Sequence, residues 1–161
     1  MPEIIVIAHN IRSTHNIGSI FRTCEGFGVS KIIISGYSPY PKISNDKRLP
    51  HISEKLTLQI HKTALGAETI VPFEYQEIPD LSSLRQQDYR IVGLEQDSTS
   101  VMIDRYQRPP KVALLLGEEV HGITDDMRQS CDDLIEIPMH GKKESFNVSV
   151  AAGIALYALT I

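Results

Sequence analysis

Six short runs rich in Ile, Val and Leu recur along the chain, and polar or helix-period sequence separates each run from the next. The runs are EIIVIA, KIIIS, ETIVPF, RIVGL, KVALLLG and LIEIP. Apolar residues at helical spacing predict helices over about 16–26, 53–65, 79–87, 124–131 and 145–159. Continuous apolar strands are typical of sheets covered on both faces, and helical connections let such strands run parallel. The sequence therefore predicts an α/β fold, with a mostly parallel sheet and helices on both faces.

The size, charge and cysteines of the chain exclude several classes of protein. Its 161 residues suffice for one domain with its own core, and no apolar run approaches the roughly 20 residues of a membrane span. Cys24 and Cys131 match no metal-binding spacing, so we expect free thiols in a reducing cytoplasm. The net charge of −4 argues against a globally basic surface. Any contact with phosphates must therefore come from a local patch, or from two patches joined by oligomerisation.

The loops that follow the predicted strands carry most of the polar side chains. Three of them, GLEQDSTS, LGEEVHGIT and IPMHGKKES, each follow a strand directly. Ligands of open α/β sheets gather at the carboxyl ends of strands, so these loops predict a common binding basin. The segment from Ser35 to His51 is long and proline-punctuated, which favours a functional loop over a solvated excursion.

One predicted helix begins in the segment STHNIGSIFRTCEGFG. Asn16 is a natural N-cap, and the apolar face comprises Ile17, Ile20, Phe21 and Cys24. Arg22 lies off that face, so it is either a solvated surface arginine or a fixed cation for phosphate. The nearby GFGVSK closes a helix and enters a strand, which is the wrong context for a dinucleotide-binding loop.

Two later segments combine glycines with polar residues. In LLLGEEVHGIT, Gly117 and Gly122 permit close backbone approach, whereas Glu118, Glu119 and His121 match neither a metalloprotease motif nor a carboxylate pair at a defined spacing. We therefore expect no metal. In IPMHGKKESFNVSV, Ser145 is positioned to cap the last helix, with Asn147 inside its first turns. An ordinary capped terminal helix is the alternative explanation of that stretch.

Taken in order, NIRSTHNIGSIFRTCEGFG, LLLGEEVHGIT and IPMHGKKESFNVSVAAGIAL resemble the three signature motifs of the SPOUT superfamily, specifically the TrmH-like RNA ribose 2′-O-methyltransferases. The resemblance implies a C-terminal deep trefoil knot and a pocket for S-adenosyl-L-methionine. It also implies a homodimer in which the first-motif arginine reaches into the partner's site. A single catalytic domain over 1–161, with no appended RNA-binding domain, is then expected to methylate RNA, with tRNA favoured over rRNA. The alternative is a non-catalytic RNA- or cofactor-binding module that keeps the knot.

The resemblance also assigns site residues by position. The cofactor pocket would be lined by Leu94, Gly117, Ile137, Ser145 and Phe146, the last of these standing where the family usually has leucine. The catalytic residues would be Asn16, Arg22, Glu119, Ser145 and Asn147. With no separate RNA-binding domain, we expect RNA to be bound through Arg12, Lys42, Lys47, Arg48, Lys142 and Lys143.

Overall fold

A computed structural model describes all residues from 1 to 161 and contains seven strands and five α-helices. The strands are β1 Glu3–His9, β2 Lys31–Ser35, β3 Phe73–Gln76, β4 Arg90–Leu94, β5 Val101–Met102, β6 Lys111–Leu116 and β7 Asp133–Glu136. The α-helices are α1 Thr14–Gly26, α2 Pro50–Ala64, α3 Leu81–Gln86, α4 Asp125–Ser130 and α5 Val148–Thr160. None of them combines the length and apolar character that a membrane-spanning helix requires.

The strands form one sheet in the order β3-β2-β1-β6-β4-β7-β5, and every neighbouring pair is parallel. On one side of β1 lie β2 and then β3. On its other side lie β6, β4, β7 and β5, in that order. Ala8 near the end of β1 is in register with Leu116 at the end of β6, and Leu94 at the end of β4 with Ile135 in β7. The loops after β4, β6 and β7 therefore leave the same edge of the sheet, close to where the strand order reverses.

Alternate residues of the central strands enter two separate cores. Ile4, Val6 and Ala8 of β1 belong to the larger core, which also includes buried residues of α1, α2 and α5. Ile5 and Ile7 belong to the smaller core, with Leu81 and Leu84 of α3 and, at its margin, Met127 of α4. Helices thus cover both faces of the sheet, and the predicted fold class is confirmed. The trefoil knot stays a prediction.

The predicted strand ETIVPF is wrong in all but its last residue, Phe73. Glu68 and Thr69 lie in a 3₁₀ turn, and β3 begins only at Phe73. The cause is local, because the Glu68 carboxylate accepts a 2.9 Å hydrogen bond from the Gly66 N–H and also pairs with His61. These contacts hold the turn that ends α2. The two-residue strand β5 was not predicted, because two apolar residues are too few to form a recognisable apolar run.

Candidate functional site

Asn16 lies in the first turn of α1, where its side chain does not cap the helix. Ser13, not Asn16 as expected, is the N-cap, since its hydroxyl accepts a 3.1 Å hydrogen bond from the Asn16 N–H. The Asn16 side chain is thereby left for longer-range contacts. Its Nδ2 donates a 2.6 Å hydrogen bond to Oε1 of Glu119, and its Oδ1 accepts a 3.3 Å hydrogen bond from Nδ2 of Asn147. One residue from each of the three motifs therefore takes part in a single hydrogen-bond chain.

The start of α5 also differs from the expectation. Asn147 is the N-cap, with its Oδ1 accepting from the Ser149 N–H at 2.9 Å and from the Ser149 hydroxyl at 2.6 Å. Ser145 lies outside the helix and is exposed, so the predicted cap at Ser145 is wrong. Asn147 has the better geometry because its amide nitrogen can reach Asn16 while its oxygen caps the helix.

A cavity of about 270 Å³ opens at the carboxyl ends of the strands. All five residues expected at the cofactor pocket line it, namely Leu94, Gly117, Ile137, Ser145 and Phe146. Five glutamates also line the cavity, with one histidine and no lysine or arginine: Glu95, Glu118, Glu119, Glu136 and Glu144. The cavity thus combines an apolar part with an excess of carboxylates, which suits a ligand that is part aromatic and part cationic.

Glu95 is a site residue that the sequence analysis missed. The turn after β6 is closed by paired backbone hydrogen bonds between Glu118 and Gly122, of 3.1 and 2.7 Å. The Glu95 carboxylate fixes this turn from outside, because its Oε2 accepts a 2.7 Å hydrogen bond from the Ile123 N–H. A Cβ added at Gly122 would lie 1.9 Å from the same oxygen. In the sequence, the one indication that Glu95 belongs to the site was its position directly after a predicted strand.

Gly117 shows the close approach predicted for it. A Cβ at this position would lie 2.6 Å from the Ile123 nitrogen and 2.7 Å from the Gly122 carbonyl carbon. The turn can therefore fold back on the end of β6 only because residue 117 lacks a side chain.

Arg22 is not brought to the other catalytic candidates within its own chain. Its side chain is exposed and makes no hydrogen bond or ion pair. Six residues along α1 place it about 9 Å along the helix axis from Asn16 and about 120° around it. The next residue, Thr23, lines a groove of about 610 Å³ between α1 and α5, together with Val150 and Tyr157 of α5.

The candidate RNA-binding residues do not form one patch. Lys142 and Lys143 are exposed in the loop before α5, whereas Lys47 is exposed in the long loop after β2 and Lys42 there lies 4.0 Å from Glu54. Arg12 is exposed, with its guanidinium 5.8 Å from the ring centroid of Tyr37.

Arg48 has partners within its own loop. Its guanidinium pairs with Asp46 at 2.6 Å, donates to the carbonyl oxygens of Tyr40 and Pro41, and lies 3.6 Å from the Tyr40 ring centroid. The hydrogen bonds from Arg48 hold the pKa of Asp46 well below its usual value. These contacts give Arg48 a structural role in shaping the loop.

The histidines and acids do not assemble a metal site. His121 Nε2 lies 4.0 Å from Glu118 Oε1, and no group of three or more His, Cys, Asp or Glu side chains is arranged to hold a metal ion.

Comparison with known proteins finds one family along nearly the whole chain. The sequence model of the SpoU rRNA Methylase family matches residues 3–157. The 23S rRNA (guanosine-2′-O-)-methyltransferase RlmB of Nitrosomonas europaea is 32% identical over 158 residues, covering 97% of this chain and 55% of the relative. The tRNA (guanosine(18)-2′-O)-methyltransferase of Aquifex aeolicus is 31% identical over 157 residues, covering 96% of this chain and 67% of that protein. This chain thus spans little more than half the length of the first of these relatives.

The fold also matches solved structures. The AdoMet-bound rRNA methyltransferase from Sinorhizobium meliloti superposes with a TM-score of 0.78 at 24% sequence identity, over 98% of this chain and 55% of that one. At this level of identity the match speaks for the fold alone.

Proposed function

Because the chain belongs to the SpoU rRNA Methylase family, we propose that it methylates a ribose 2′-hydroxyl in RNA, with S-adenosyl-L-methionine as the methyl donor. The observation that carries this proposal is the hydrogen-bond chain from Glu119 through Asn16 to Asn147. It joins all three motifs beside a cavity that Glu119 itself lines.

The residues of the cavity fit this cofactor. Leu94, Ile137 and Phe146 offer apolar surface for the adenine ring, and the close packing at Gly117 leaves backbone groups near the ligand. The glutamates and the absence of any lysine or arginine favour a ligand that carries a sulfonium and an ammonium group. When bound, the cofactor supplies an electrophilic methyl carbon whose leaving group is a neutral thioether.

The chain's own residues must then orient the ribose and allow the proton of its 2′-hydroxyl to be removed. Orientation of the reacting groups contributes about 7–11 kcal/mol in well-aligned systems. Asn16, held by Glu119 and Asn147, is fixed at the entrance as a hydrogen-bonding group for the ribose, and Ser145 is exposed at the rim. Arg22 offers a planar fork of N–H donors and no acceptor atom, which suits the binding of an anion better than the removal of a proton. We assign it to the RNA phosphate and the developing alkoxide, with the phosphate accepting the proton.

A homodimer supplies Arg22 to the site. The groove between α1 and α5 leaves Val150 50% and Tyr157 58% exposed, and these two large side chains lie on the same side of α5 about two turns apart. A Cβ added at Gly153 would meet only Thr23 Cγ2 within 4 Å, at 3.7 Å, so a second backbone can come near this position. We place the partner subunit on this face, with its Arg22 directed to the neighbouring cavity.

The RNA is contacted by local cations. Lys142 and Lys143 directly precede the residues of the last loop that line the cofactor cavity. Lys42 and Lys47 lie in the loop after β2, and Arg12 lies beside that loop. In a chain with an overall charge of −4, such dispersed cations suit a compact RNA element. We therefore favour tRNA over rRNA as the substrate. We place the reaction in the cytoplasm.

The test is methyl transfer from labelled S-adenosyl-L-methionine to bulk tRNA and to rRNA, each taken from cells that lack this protein. We expect a 2′-O-methylated nucleoside after digestion, and we expect Arg22→Ala to abolish it while cofactor binding persists. Cofactor and RNA binding without any transfer would instead support a non-catalytic binding module. A base-methylated product would refute the proposed chemistry.

A further inference from the structure

A second cavity, of about 700 Å³, lies beside the start of α1 and is also bounded by α2 and the loop after β2. Its volume is within the range of small-molecule sites, about 300–1,000 Å³. We propose that this cavity, which we call the base recess, binds an unstacked nucleobase of the RNA substrate, with Tyr37 as the stacking surface. The inference rests on the proposed function and adds to it where the RNA is read.

The charge of the base recess is opposite to that of the cofactor cavity. Arg12, His15 and Arg48 line it and no aspartate or glutamate does; the charge of Arg48 is paired with Asp46, which leaves Arg12 as the unpaired arginine. The cofactor cavity has five glutamates and no lysine or arginine. In a chain of net charge −4, an RNA strand therefore meets less repulsion at the base recess than at the cofactor cavity.

The walls of the base recess are aromatic and largely fixed before binding. Tyr40 and Tyr75 stack with ring centroids 4.2 Å apart and an interplanar angle of 17°. The guanidinium of Arg48 covers Tyr40 at 3.6 Å, and the Tyr75 hydroxyl donates a 2.6 Å hydrogen bond to the Gly36 carbonyl. These groups are already engaged, so they shape the recess without offering a free ring face.

Tyr37 is different because its side chain is 50% exposed. The backbone that presents it is firmly held, since its N–H donates a 3.1 Å hydrogen bond to Oδ1 of Asn10. Arg12 lies 5.8 Å from the ring centroid, near the outer limit of a cation–π contact. The ring is thus rigidly placed yet accessible, as a stacking platform for a base requires.

Two polar side chains in the base recess have no partner within the chain. The Gln59 amide on α2 and the His15 imidazole on α1 line the recess, and neither side chain makes a hydrogen bond or an ion pair. An amide offers a donor and an acceptor side by side, which is the pattern that reads a base edge. The recess therefore has the means to distinguish bases as well as to hold them.

The base recess is also joined to the catalytic groups. Ser13, Thr14 and His15 line it and precede Asn16 directly. On the other side, burial and the carboxylate of Glu118, a residue of the cofactor cavity, raise the pKa of the Tyr37 hydroxyl. A nucleotide with its ribose at Asn16 would therefore have its own base, or the adjacent one, within reach of Tyr37.

The experiment compares Tyr37→Ala, Tyr37→Phe and a control, Leu58→Ala, which truncates an apolar side chain that is 67% exposed on α2 outside the base recess. We expect Tyr37→Ala to raise the KM for RNA about 10-fold at a kcat within about twofold of wild type, because one base–aromatic stack is lost. Tyr37→Phe and Leu58→Ala should keep the wild-type KM. Calorimetry should show unchanged binding of S-adenosyl-L-methionine to all four proteins.

A second readout does not depend on catalysis. Ultraviolet cross-linking of the wild-type protein to bulk RNA, mapped by mass spectrometry, should give an adduct within Tyr37–Tyr40. A wild-type KM for Tyr37→Ala would overturn the inference while leaving the methyltransferase intact. Failure of the wild-type protein to methylate any RNA would instead count against the proposed function. In that case the cross-link map alone tests the base recess. An adduct at Tyr37 supports RNA binding in the recess, whereas adducts only elsewhere, or no adduct, reject it.

Discussion

The amide of Asn16 donates a 2.6 Å hydrogen bond to the carboxylate of Glu119, across 103 residues of sequence. The contact exists because Ser13 takes over the capping of α1 and leaves the Asn16 side chain free. It fixes the start of α1 to the turn after β6, while Asn147 fixes the same side chain to the start of α5. Three segments that are distant in sequence are thus tied at one point beside the cofactor cavity.

Exchange of donor and acceptor between Asn16 and Glu119 should test this contact. Asn16→Asp places a second carboxylate against Glu119, and like charges at this distance repel. We expect a loss of methyl transfer at neutral pH, and partial recovery in the double variant Asn16→Asp with Glu119→Gln, in which the glutamine amide donates to the aspartate. The coupling in activation free energy, from kcat/KM of the four proteins, should be about 0.5–3 kcal/mol.

Cofactor affinity provides the control for that cycle. Asn16 does not line the cavity whereas Glu119 does, so Asn16→Asp should bind S-adenosyl-L-methionine like wild type, and the double variant should bind it like Glu119→Gln. Strict additivity of the two substitutions would show that the hydrogen bond has no part in the reaction.

Removal of the Glu95 carboxylate should loosen the turn that borders the cofactor cavity. Glu95→Ala leaves the Ile123 N–H without its 2.7 Å acceptor, which costs about 1–3 kcal/mol when a buried donor is left unsatisfied. We expect a lower free energy of unfolding and weaker cofactor binding, with a smaller effect for Glu95→Gln, which keeps one acceptor oxygen. Denaturant titration and calorimetry measure the two quantities. Glu77→Ala, at an exposed position without side-chain hydrogen bonds, should match wild type in both.

The two caps show what local sequence can and cannot predict. Ser13 and Asn16, like Ser145 and Asn147, are pairs of good capping residues only two or three positions apart, so propensity does not choose between them. The choice is made by tertiary contacts, since Asn16 and Asn147 have partners in other motifs. The apolar strands were predicted because burial on both faces leaves a continuous pattern in the sequence.

Glu95 and the base recess depend on contacts that no local pattern records. The partner of Glu95 lies 28 residues further along the chain, in the turn after the next long strand. The base recess combines side chains from α1, from α2 and from the loop after β2. The five cofactor-pocket candidates line one cavity, and they were assigned by position from the family resemblance because their spacing alone did not predict it.

The two cysteines should resist alkylation for different reasons. Cys24 is fully buried in the larger core, and burial raises its pKa, so it should react only when the protein unfolds. Burial and the neighbouring Asp132 raise the pKa of Cys131 to about 11. The thiolate is the form that reacts with iodoacetamide. Alkylation of Cys131 in the folded protein should therefore stay slow at pH 8.5, where an ordinary thiol of pKa about 8.5 is half ionised. The rate of alkylation should rise towards pH 11. Mass spectrometry after iodoacetamide treatment measures each site, and circular dichroism checks that the fold persists. Rapid alkylation of Cys131 at pH 8.5 in the folded protein would contradict the expected pKa.

Mixing two inactive variants should show in which subunit Arg22 acts. Arg22→Ala removes a side chain with no partner in its own chain, so the free energy of unfolding of the protomer should change by less than about 0.5 kcal/mol. Glu119→Ala likewise removes an exposed side chain of the site. Each variant alone should be inactive.

After unfolding and refolding together, half of the dimers would be mixed, and each mixed dimer would hold one intact site if Arg22 serves the partner. About a quarter of the wild-type rate should then return, because subunits of a symmetric dimer assort randomly. If Arg22 acted within its own chain, no mixed dimer would contain a complete site, and the mixture would stay inactive. Sedimentation of the refolded mixture, which should run as a dimer, separates that result from a simple failure to reassociate.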